Sequence, residues 1–408
     1  MTTMAIDNKD KKVLNVPHLR FPEFSGEWKK HSLGEIGETI IGLTYKPSDV
    51  VDNNGIIVFR SSNIKNGMID YSDLVRVNKH IKDKIITKEN DILVCARNGS
   101  QRLIGKNAII KQEDANNTFG AFMMVYRAND NPFILPLLST KKYFSQVGEN
   151  LGARINQITT SDFNGFEFYF PENHAERTKI AELFRLLDER IATQNKIIED
   201  LKKLKSAISK HLFTRKDLLE TTICLSEIAT LRNGYAFQSS KYNALGKWKI
   251  LTITNVSGER HINDEDCNCI INLPDDIQDH QVLKEGDILI SLTGNVGRVS
   301  LCKDGDYLLN QRVGLLQLAK NVNQEFLYQI LSSQKFENSM IACGQGAAQM
   351  NIGKGDVESY VLPYSSNGNN ILWIAKILHS YDECIINEQR RLTLLTMQKQ
   401  YLLTQMFI

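Results

Sequence analysis

The chain has few of the features that mark membrane, secreted or disulfide-rich proteins. No run of 18 apolar residues occurs among its 408 residues, which argues against a membrane span. The first stretch, MTTMAIDNKDKKV, carries charge but no apolar core, so it does not have the pattern of a secretion signal. The seven cysteines are an odd number at scattered positions, which favours a reducing compartment over a disulfide framework. We therefore expect a cytoplasmic protein that begins with a short disordered tail.

The chain also lacks a strong charge of either sign. Its formal net charge is only +2, whereas a strongly basic balance would point directly to nucleic acid. Near-neutrality does not exclude DNA, because local patches matter more than the sum, but it suggests that the chain does not hold DNA alone. Cys267 and Cys269 have no matching second pair, so we expect two ordinary cysteines there rather than a zinc site.

The common catalytic motifs are missing as well. The stretches GKN at Gly105 and GKG at Gly353 lack the hydroxyl residue and the first glycine of a phosphate-binding loop. We find no His-Glu-x-x-His, no Gly-x-Ser-x-Gly and no Asn-Pro-Pro-Tyr type of motif, and the eight histidines are dispersed. These absences argue against an NTPase, a metalloenzyme or a methyltransferase. They do not exclude catalysis, because catalytic groups need not be local in sequence.

A long repeated segment is the most prominent feature that is present. Ile180 to Phe213 and Ile374 to Phe407 align at an offset of 194 residues, and neither contains Gly or Pro. Apolar residues recur at spacings of three and four over five heptads, so we expect two long helices with a coiled-coil seam. The alternative is a stripe that packs against a globular core. The predicted interface between the helices comprises Leu187, Ile191, Ile198, Leu201, Tyr381, Ile385, Leu392 and Leu395.

Polar residues interrupt this seam at the same places in both copies. Gln194 is matched by Glu388, and Lys205 is matched by Lys399. Polar residues in such a seam fix register or orientation rather than add stability.

The repeat continues outside the helices, which indicates two related globular domains. NDILVCARNGSQRLIGK in the first half is matched by GDILISLTGNVGR in the second, and Gly42 is matched by Gly234. We predict strands at DILVCA, AFMMVYRA, DILISL and VGLLQLA, and helices at PFILPLLSTKKYFSQVGEN and NQEFLYQILSSQKFENSMI, which together indicate an α+β fold. The expected divisions are a tail at 1–15, a domain at 16–172, a helix at 173–214, a domain at 215–368 and a helix at 369–408.

Turn-rich stretches in both halves expose side chains that are suited to DNA. Arg and Lys pair with guanine O6 and N7, Asn and Gln pair with adenine N6 and N7, and several of these types also hold phosphates. Any one of them is more often a solvated loop side chain, so the set carries more weight than its members. The predicted DNA-contacting residues are Tyr45, Lys46, Arg60, Asn63, Arg97, Asn98, Arg102, Lys106, Gln238, Asn255, Thr293, Asn295, Arg298 and Arg312.

Three stretches give the chain a resemblance to a known family, the specificity subunits of Type I restriction–modification systems. They are VPHLRFPEFSGEWKKHSLGEI from Val16, PENHAERTKIAELFRLLDERI from Pro171, and GDILISLTGNVGR with the following LNQRVGLLQL. The resemblance runs from about Val16 to Phe407. The second half departs from it, since Phe213 to Ile223 replaces the opening stretch. Recognition domains in this family vary greatly, so no base-contacting residue is carried over.

The resemblance implies a non-catalytic subunit with two target recognition domains, each reading half of a bipartite, asymmetric DNA site. Two antiparallel coiled-coil helices would separate these domains in a pseudo-two-fold arrangement and dock two methyltransferase subunits. Restriction/translocase subunits would join the assembly. S-adenosylmethionine, ATP and magnesium would belong to these partners, with no cofactor in this chain.

Physical reasoning adds a measuring role for the helices. A helix of 39 residues is about 58 Å long, which is less than two turns of B-DNA. Helix length would therefore set the separation of the half-sites. The alternatives are a self-contained DNA-modifying enzyme with an unrecognised site, a coiled-coil scaffold, and RNA binding, for which the common sequence signature is lacking.

Overall fold

A computed structural model describes residues 15–151, 156–344 and 350–408. Almost all of the expected tail therefore lies outside the described residues. The chain divides into two compact units, Met1–Gln194 with Arg391–Ile408, and Asn195–Arg390. We call these unit 1 and unit 2.

Unit 1 contains short strands and helices, followed by the first of two long helices. Its strands are Lys29–Ser32 (β1), Glu38–Ile41 (β2), Val50–Val51 (β3), Ile56–Phe59 (β4), Ile64–Lys65 (β5), Met68–Ile69 (β6), Arg76–Val77 (β7), Ile92–Cys95 (β8), Asn107–Ile109 (β9), Thr118–Phe119 (β10), Met123–Arg127 (β11) and Glu167–Phe170 (β12). Its helices are Leu33–Ile36 (α1), Asn131–Leu137 (α2), Lys141–Leu151 (α3), Thr160–Asn164 (α4) and the start of His174–Thr214 (α5).

Unit 2 follows a similar order and ends in the second long helix. Its strands are Thr221–Cys224 (β13), Ala229–Asn233 (β14), Trp248–Leu251 (β15), Asn268–Ile270 (β16), Ile288–Ser291 (β17), Val299–Leu301 (β18), Tyr307–Leu309 (β19), Val313–Leu318 (β20) and Val361–Tyr364 (β21). Its helices are Gln324–Leu331 (α6), Gln334–Cys343 (α7), Lys354–Glu358 (α8) and most of Gly368–Met406 (α9).

The main antiparallel sheets of the two units have the same strand order. An antiparallel sheet in the order β2-β11-β8-β9 in unit 1 corresponds to β14-β20-β17-β18 in unit 2. A second sheet contains one parallel pair in each unit, β10 with β4 and β19 with β15. The strands β1 and β12 form a small ribbon in unit 1, as β13 and β21 do in unit 2. The α+β class is confirmed, and the internal repeat extends to strand order.

The predicted strands are confirmed, but each predicted domain helix is two helices. The first breaks between α2 and α3, and the second breaks between α6 and α7. A hydroxyl caps each second helix: Thr140 Oγ1 accepts from the Tyr143 amide at 3.3 Å, and Ser333 Oγ accepts from the Phe336 amide at 3.4 Å. A capping hydroxyl satisfies an amide that lacks a partner at a helix start, so these residues begin a new helix.

Gly42 and Gly234 mark a close crossing of two backbones in each unit. A Cβ at Gly42 would overlap the carbonyl oxygen of Gly120, and one at Gly234 would overlap the carbonyl oxygen of Asn310. Because a backbone carbonyl has little freedom to move aside, no other residue type fits without a shift of both strands.

We expect Gly42→Ala or Gly234→Ala to lower the free energy of unfolding by about 1–3 kcal/mol, because the added methyl group forces the crossing strands apart. Denaturant unfolding of the full chain measures the change. Gly148→Ala is the matched control, since this glycine lies within α3 and its Cβ would meet no atom within 4 Å. That variant is expected to be neutral or stabilising. Equal effects at Gly42 and Gly148 would contradict the argument.

The opening stretch of unit 1 is held by a buried carboxylate on α5. Glu176 is 1% exposed and accepts from Arg20 at 2.7 and 2.8 Å and from the Trp28 indole at 3.3 Å. Its equivalent 194 residues on is Asn370, whose Nδ2 donates to the Leu218 carbonyl at 3.0 Å. Unit 2 therefore replaces the charged anchor with an amide and a different lead-in, which is the departure visible in the sequence.

The two long helices pack antiparallel within unit 1. Phe184 lies against Phe407 with ring centroids 5.6 Å apart, and Lys399 Nζ donates to Asp188 at 2.5 Å. As residue numbers increase along α5, those of the contacting residues in and after α9 decrease, which is antiparallel packing. Phe184 and Phe407 also belong to the globular core of unit 1. At this end the seam therefore packs both against the other long helix and against the globular domain, the two alternatives that the sequence allowed.

The same pairing recurs in unit 2. Lys205 Nζ donates to Asp382 at 2.6 Å, and Leu212 shares a core with Ile371 and Ile374. Each ion pair is the equivalent of the other under the 194-residue repeat. The matched lysines of the seam, Lys205 and Lys399, thus face the matched aspartates Asp382 and Asp188. These two ion pairs fix the register of α5 against α9.

The predicted helix-interface residues are all shielded from solvent to some degree. Leu187, Ile198 and Ile385 are buried. The half-buried ones are Ile191, Leu201, Tyr381, Leu392 and Leu395. Gln194 is also buried, so the polar position in the seam of α5 faces inward.

A buried polar network surrounds Asp382 in unit 2. Arg260 donates to Asp382 at 2.9 Å and to Glu325 at 2.6 and 2.9 Å. Gln329 Nε2 donates to Asp382 at 2.6 Å and to Glu325 at 2.7 Å. Burial opposes ionisation of Glu325, but the bonds from Arg260 and Gln329 outweigh it and lower the pKa of this carboxyl. The Asp382 network therefore joins α5, α6, α9 and the loop after β15.

Candidate nucleic-acid interface

Four loops of unit 1 meet at one edge of its sheets. They are residues 42–46, 60–63, 96–106 and 119–122, which we call the first loop edge. The Leu43 amide donates to the Phe119 carbonyl at 2.6 Å, and the Gly120 amide donates to the Phe59 carbonyl at 2.9 Å. These bonds join loop 42–46 to loop 119–122, and loop 119–122 to the end of β4.

The predicted DNA-contacting residues of the first half, apart from Asn63, lie on this edge with their side chains accessible. Lys46, Arg97 and Arg102 are exposed. Tyr45, Arg60, Asn98 and Lys106 are half-buried. The structure thus brings together four loops that are separated by up to 80 residues of sequence, so the basic side chains form one surface.

Arg60 and Asn98 already have polar partners in the protein. Arg60 pairs with Asp73 at 2.8 Å, although its Nε is buried without a partner. Asn98 Nδ2 donates to Ser61 Oγ at 2.9 Å. The latter bond ties loop 96–106 to loop 60–63, so Asn98 shapes the edge as well as presenting a polar group.

Asn63 and Asn255 differ from expectation, because both are buried. Asn63 accepts from the Arg60 amide at 2.9 Å and donates to the carbonyls of Asp70 and Asp73 at 3.0 and 2.8 Å. Asn255 makes the equivalent bonds in unit 2, to the Thr252 amide and the Asn263 carbonyl, both at 2.8 Å. The backbone occupies both amides, so we assign them to loop structure and leave them out of the proposed interface.

Unit 2 has an equivalent second loop edge, formed by residues 234–238, 252–255, 292–298 and 310–312. The Tyr235 amide donates to the Leu309 carbonyl at 2.8 Å, and the Asn310 amide donates to the Leu251 carbonyl at 3.2 Å. Gln238, Asn295 and Arg312 on this edge are exposed, and Thr293 and Arg298 are half-buried. The predicted residues of the second half therefore converge as those of the first half do, with Asn255 again beneath the surface.

Thr293 and Arg298 are partly engaged within unit 2. Thr293 Oγ1 donates to Asn351 Oδ1 at 3.0 Å. Arg298 lies 3.5 Å from Glu337 and lines a cavity of about 220 Å³. Arg298 Nη1 also donates to the Ser257 carbonyl at 3.4 Å, so the loop after β15 and α7 both hold this side chain.

The structure adds aromatic residues that the sequence analysis missed. Phe122 is exposed at the first loop edge. At the second loop edge, the Tyr235 and Phe237 rings pack at a tilted angle with centroids 4.9 Å apart. The Tyr235 hydroxyl donates to Asp276 at 2.7 Å, which raises the pKa of the phenol. The available signal was an aromatic residue within the stretches FGAF and NGYAF.

Two other kinds of site were sought in the described part of the chain. It contains no group of three or more His, Cys, Asp or Glu side chains placed to hold a metal ion. None of its helices has the length and apolar character needed to cross a bilayer.

Comparison with known proteins identifies the family. The model of the Type I restriction modification DNA specificity domain matches residues 25–203 and, a second time, residues 220–397. The chain belongs to this family. The two matches cover the two halves of the repeat, so each unit with its loop edge corresponds to one DNA specificity domain.

Named relatives and a solved structure agree with this assignment. The specificity subunit of the Type I restriction enzyme EcoKI from Escherichia coli K12 is 25% identical over 368 residues, which is 82% of this chain and 78% of the relative. The MjaVIII specificity subunit from Methanocaldococcus jannaschii is 26% identical over 352 residues, 79% and 78% of the two chains. The S subunit of a Type I system from M. genitalium has the same fold, with a TM-score of 0.59 at 18% identity over 96% of this chain and 99% of that one.

Proposed function

We propose that this chain is the subunit that selects the DNA sequence for a Type I restriction–modification complex, with each loop edge reading one half of a bipartite site. The observation that carries the proposal is the pair of equivalent edges, each with exposed basic side chains, in two copies of a DNA specificity domain. Because the edges differ in sequence, the two half-sites differ.

The chemistry of the edges suits the major groove of B-DNA. Arg97 and Arg312 are exposed guanidinium groups that can bond guanine O6 and N7 with two parallel donors. Gln238 and Asn295 offer amides that suit adenine. Lys46, Arg102 and Lys106 supply charges for phosphates, which position the protein without specifying the sequence.

The long helices have the proposed roles of spacer and docking surface for two methyltransferase subunits, which restriction/translocase subunits would join. Both relatives named above are subunits of restriction enzymes, which supports an assembly of this kind. We propose that the chain itself is not catalytic and that chemistry requiring S-adenosylmethionine, ATP and magnesium resides in the partners. The cytoplasm is the proposed location, and the seven free cysteines suit it.

We expect Arg97→Ala to relax one position of the first half-site and Arg312→Ala to relax one position of the second. Each substitution removes a bidentate contact with guanine, at a cost of about 1–3 kcal/mol of discrimination. The measurement is sequencing of methylated bases in cells that carry the variant together with the methyltransferase subunits.

Lys30→Ala is the control for this experiment, because Lys30 is an exposed cation on β1, away from the loop edge. It should leave both half-sites unchanged. The proposal fails if Arg97→Ala and Arg312→Ala alter the same half-site. A self-contained modifying enzyme would instead reveal itself if the pure chain methylates DNA when given only S-adenosylmethionine.

A further inference from the structure

Phe122 is a large apolar side chain that the fold holds out into solvent. Its side chain is 60% exposed at the first loop edge, whereas the next residue, Met123, is 1% exposed in β11. The Phe122 carbonyl accepts from the amides of Ala96 and Arg97, both at 3.0 Å. The ring therefore projects from a backbone that two hydrogen bonds fix in place.

The ring also orders a basic neighbour. The Arg97 guanidinium lies 5.2 Å from the centroid of the Phe122 ring, within the range of a cation–π contact. Such a contact restricts a side chain that would otherwise sample many rotamers. Phe122 and Arg97 thus form one preorganised pair on the edge.

Arg312 occupies the position in unit 2 that Phe122 occupies in unit 1. The Arg312 carbonyl accepts from the Leu292 amide at 3.0 Å, as the Phe122 carbonyl does from the Ala96 amide. Both residues immediately precede the first residue of the central strand, β20 or β11. One fixed position on the edge therefore carries a cation in one unit and an aromatic ring in the other, which is what two different half-sites require.

In the major groove, an apolar side chain finds one specific partner, the 5-methyl group of thymine, while guanine O6 and N7 are the partners of arginine. We propose that Phe122 is a specificity-determining residue that contacts the 5-methyl group of a thymine in the first half-site. The same ring holds Arg97 toward an adjacent guanine. This inference rests on the proposed function, since it assigns a base to a residue of the same edge.

The test uses the full chain assembled with its methyltransferase partners, on the bipartite site found by sequencing methylated bases. Duplexes are made in which each thymine of the first half-site is replaced in turn by deoxyuridine, which removes only the methyl group. For the unaltered chain we expect one replacement to weaken binding about fourfold, the effect of losing one buried methyl contact. Phe122→Ala should bind that duplex and its thymine counterpart equally well, whereas Phe122→Leu should retain part of the difference.

Phe144→Ala is the matched control, because Phe144 is an exposed phenylalanine on α3, outside the first loop edge. It should keep the full fourfold difference. The inference is overturned if Phe122→Ala still distinguishes thymine from deoxyuridine at every position, or if no thymine matters to the unaltered chain. Failure of the unaltered chain to direct methylation to any bipartite site would overturn the proposed function itself.

Discussion

Replacing Asp382 with alanine is expected to lower the free energy of unfolding of unit 2 by about 3–5 kcal/mol. The carboxylate is only 7% exposed, and it accepts from Lys205, Arg260 and Gln329. Its removal leaves two positive charges in a largely buried setting with only Glu325 to balance Arg260. Breaking a buried ion pair by deleting one partner is far more costly than the pair is worth, because the remaining charge stays desolvated. Hydrogen exchange of the backbone amides of α6 and α9 in the full chain measures the loss.

Asp188→Ala supplies the matched control in unit 1. Asp188 is the repeat equivalent of Asp382, but its side chain is 41% exposed, and it pairs with Lys399 on α9. An ion pair at this exposure contributes about 1 kcal/mol or less, so the loss should be small. Similar losses of stability in Asp382→Ala and Asp188→Ala would show that the bonds of Asp382 to Arg260 and Gln329 add no stability beyond that of a lysine–aspartate pair.

Adding one helical turn to both long helices is expected to lengthen the spacer of the DNA site by one to two base pairs. A turn adds about 5.4 Å along a helix, and each base pair of B-DNA occupies about 3.4 Å. The insertions belong between Gln194 and Asn195 and between Arg390 and Arg391, where each helix passes from one unit to the other. Both ion pairs between α5 and α9 then stay within their own units. Sequencing of methylated bases gives the new spacer directly.

The half-sites themselves should not change, because no residue of either loop edge is touched. A change in the recognised bases would contradict the spacer role of the helices. A turn added to only one helix serves as the control. It should abolish methylation, because it shifts one side of the antiparallel seam past the other and separates Asp188 from Lys399 or Lys205 from Asp382.

The sequence was sufficient to predict the features that depend on periodicity. The heptad spacing predicted α5 and α9, and the 194-residue offset predicted that Lys205 and Lys399 have equivalent roles. Their partners were also visible, since Asp188 and Asp382 are identical at the same offset. What the sequence did not show was that each lysine faces the aspartate of the other copy, because the resemblance implied antiparallel helices but not the register in which they pack.

Features that depend on distant contacts could not be predicted. The loop edges form because β2 and β8 both pair with β11 and because β10 lies beside β4, and no local pattern encodes these pairings. For the same reason the burial of Asn63 was missed: its polar side chain resembles a surface residue until its three backbone partners are in place. The helix breaks at Thr140 and Ser333 were missed because a capping hydroxyl looks like one polar position on a helix face.

The placement of the two ion pairs has a practical consequence for building hybrid chains. Asp188 with Lys399 lies wholly in unit 1, and Lys205 with Asp382 lies wholly in unit 2. Junctions at Gln194/Asn195 and Arg390/Arg391 would therefore transplant a recognition domain together with both residues of the ion pair that joins its two helices. Junctions drawn at the ends of the globular domain of unit 2, near Thr214 and Gly368, would separate Arg260, Glu325 and Gln329 from Lys205 and Asp382 on the long helices. With these junctions, unit 2 is transplanted as one continuous segment, Asn195–Arg390, whereas unit 1 consists of two segments, with one cut in the middle of each long helix.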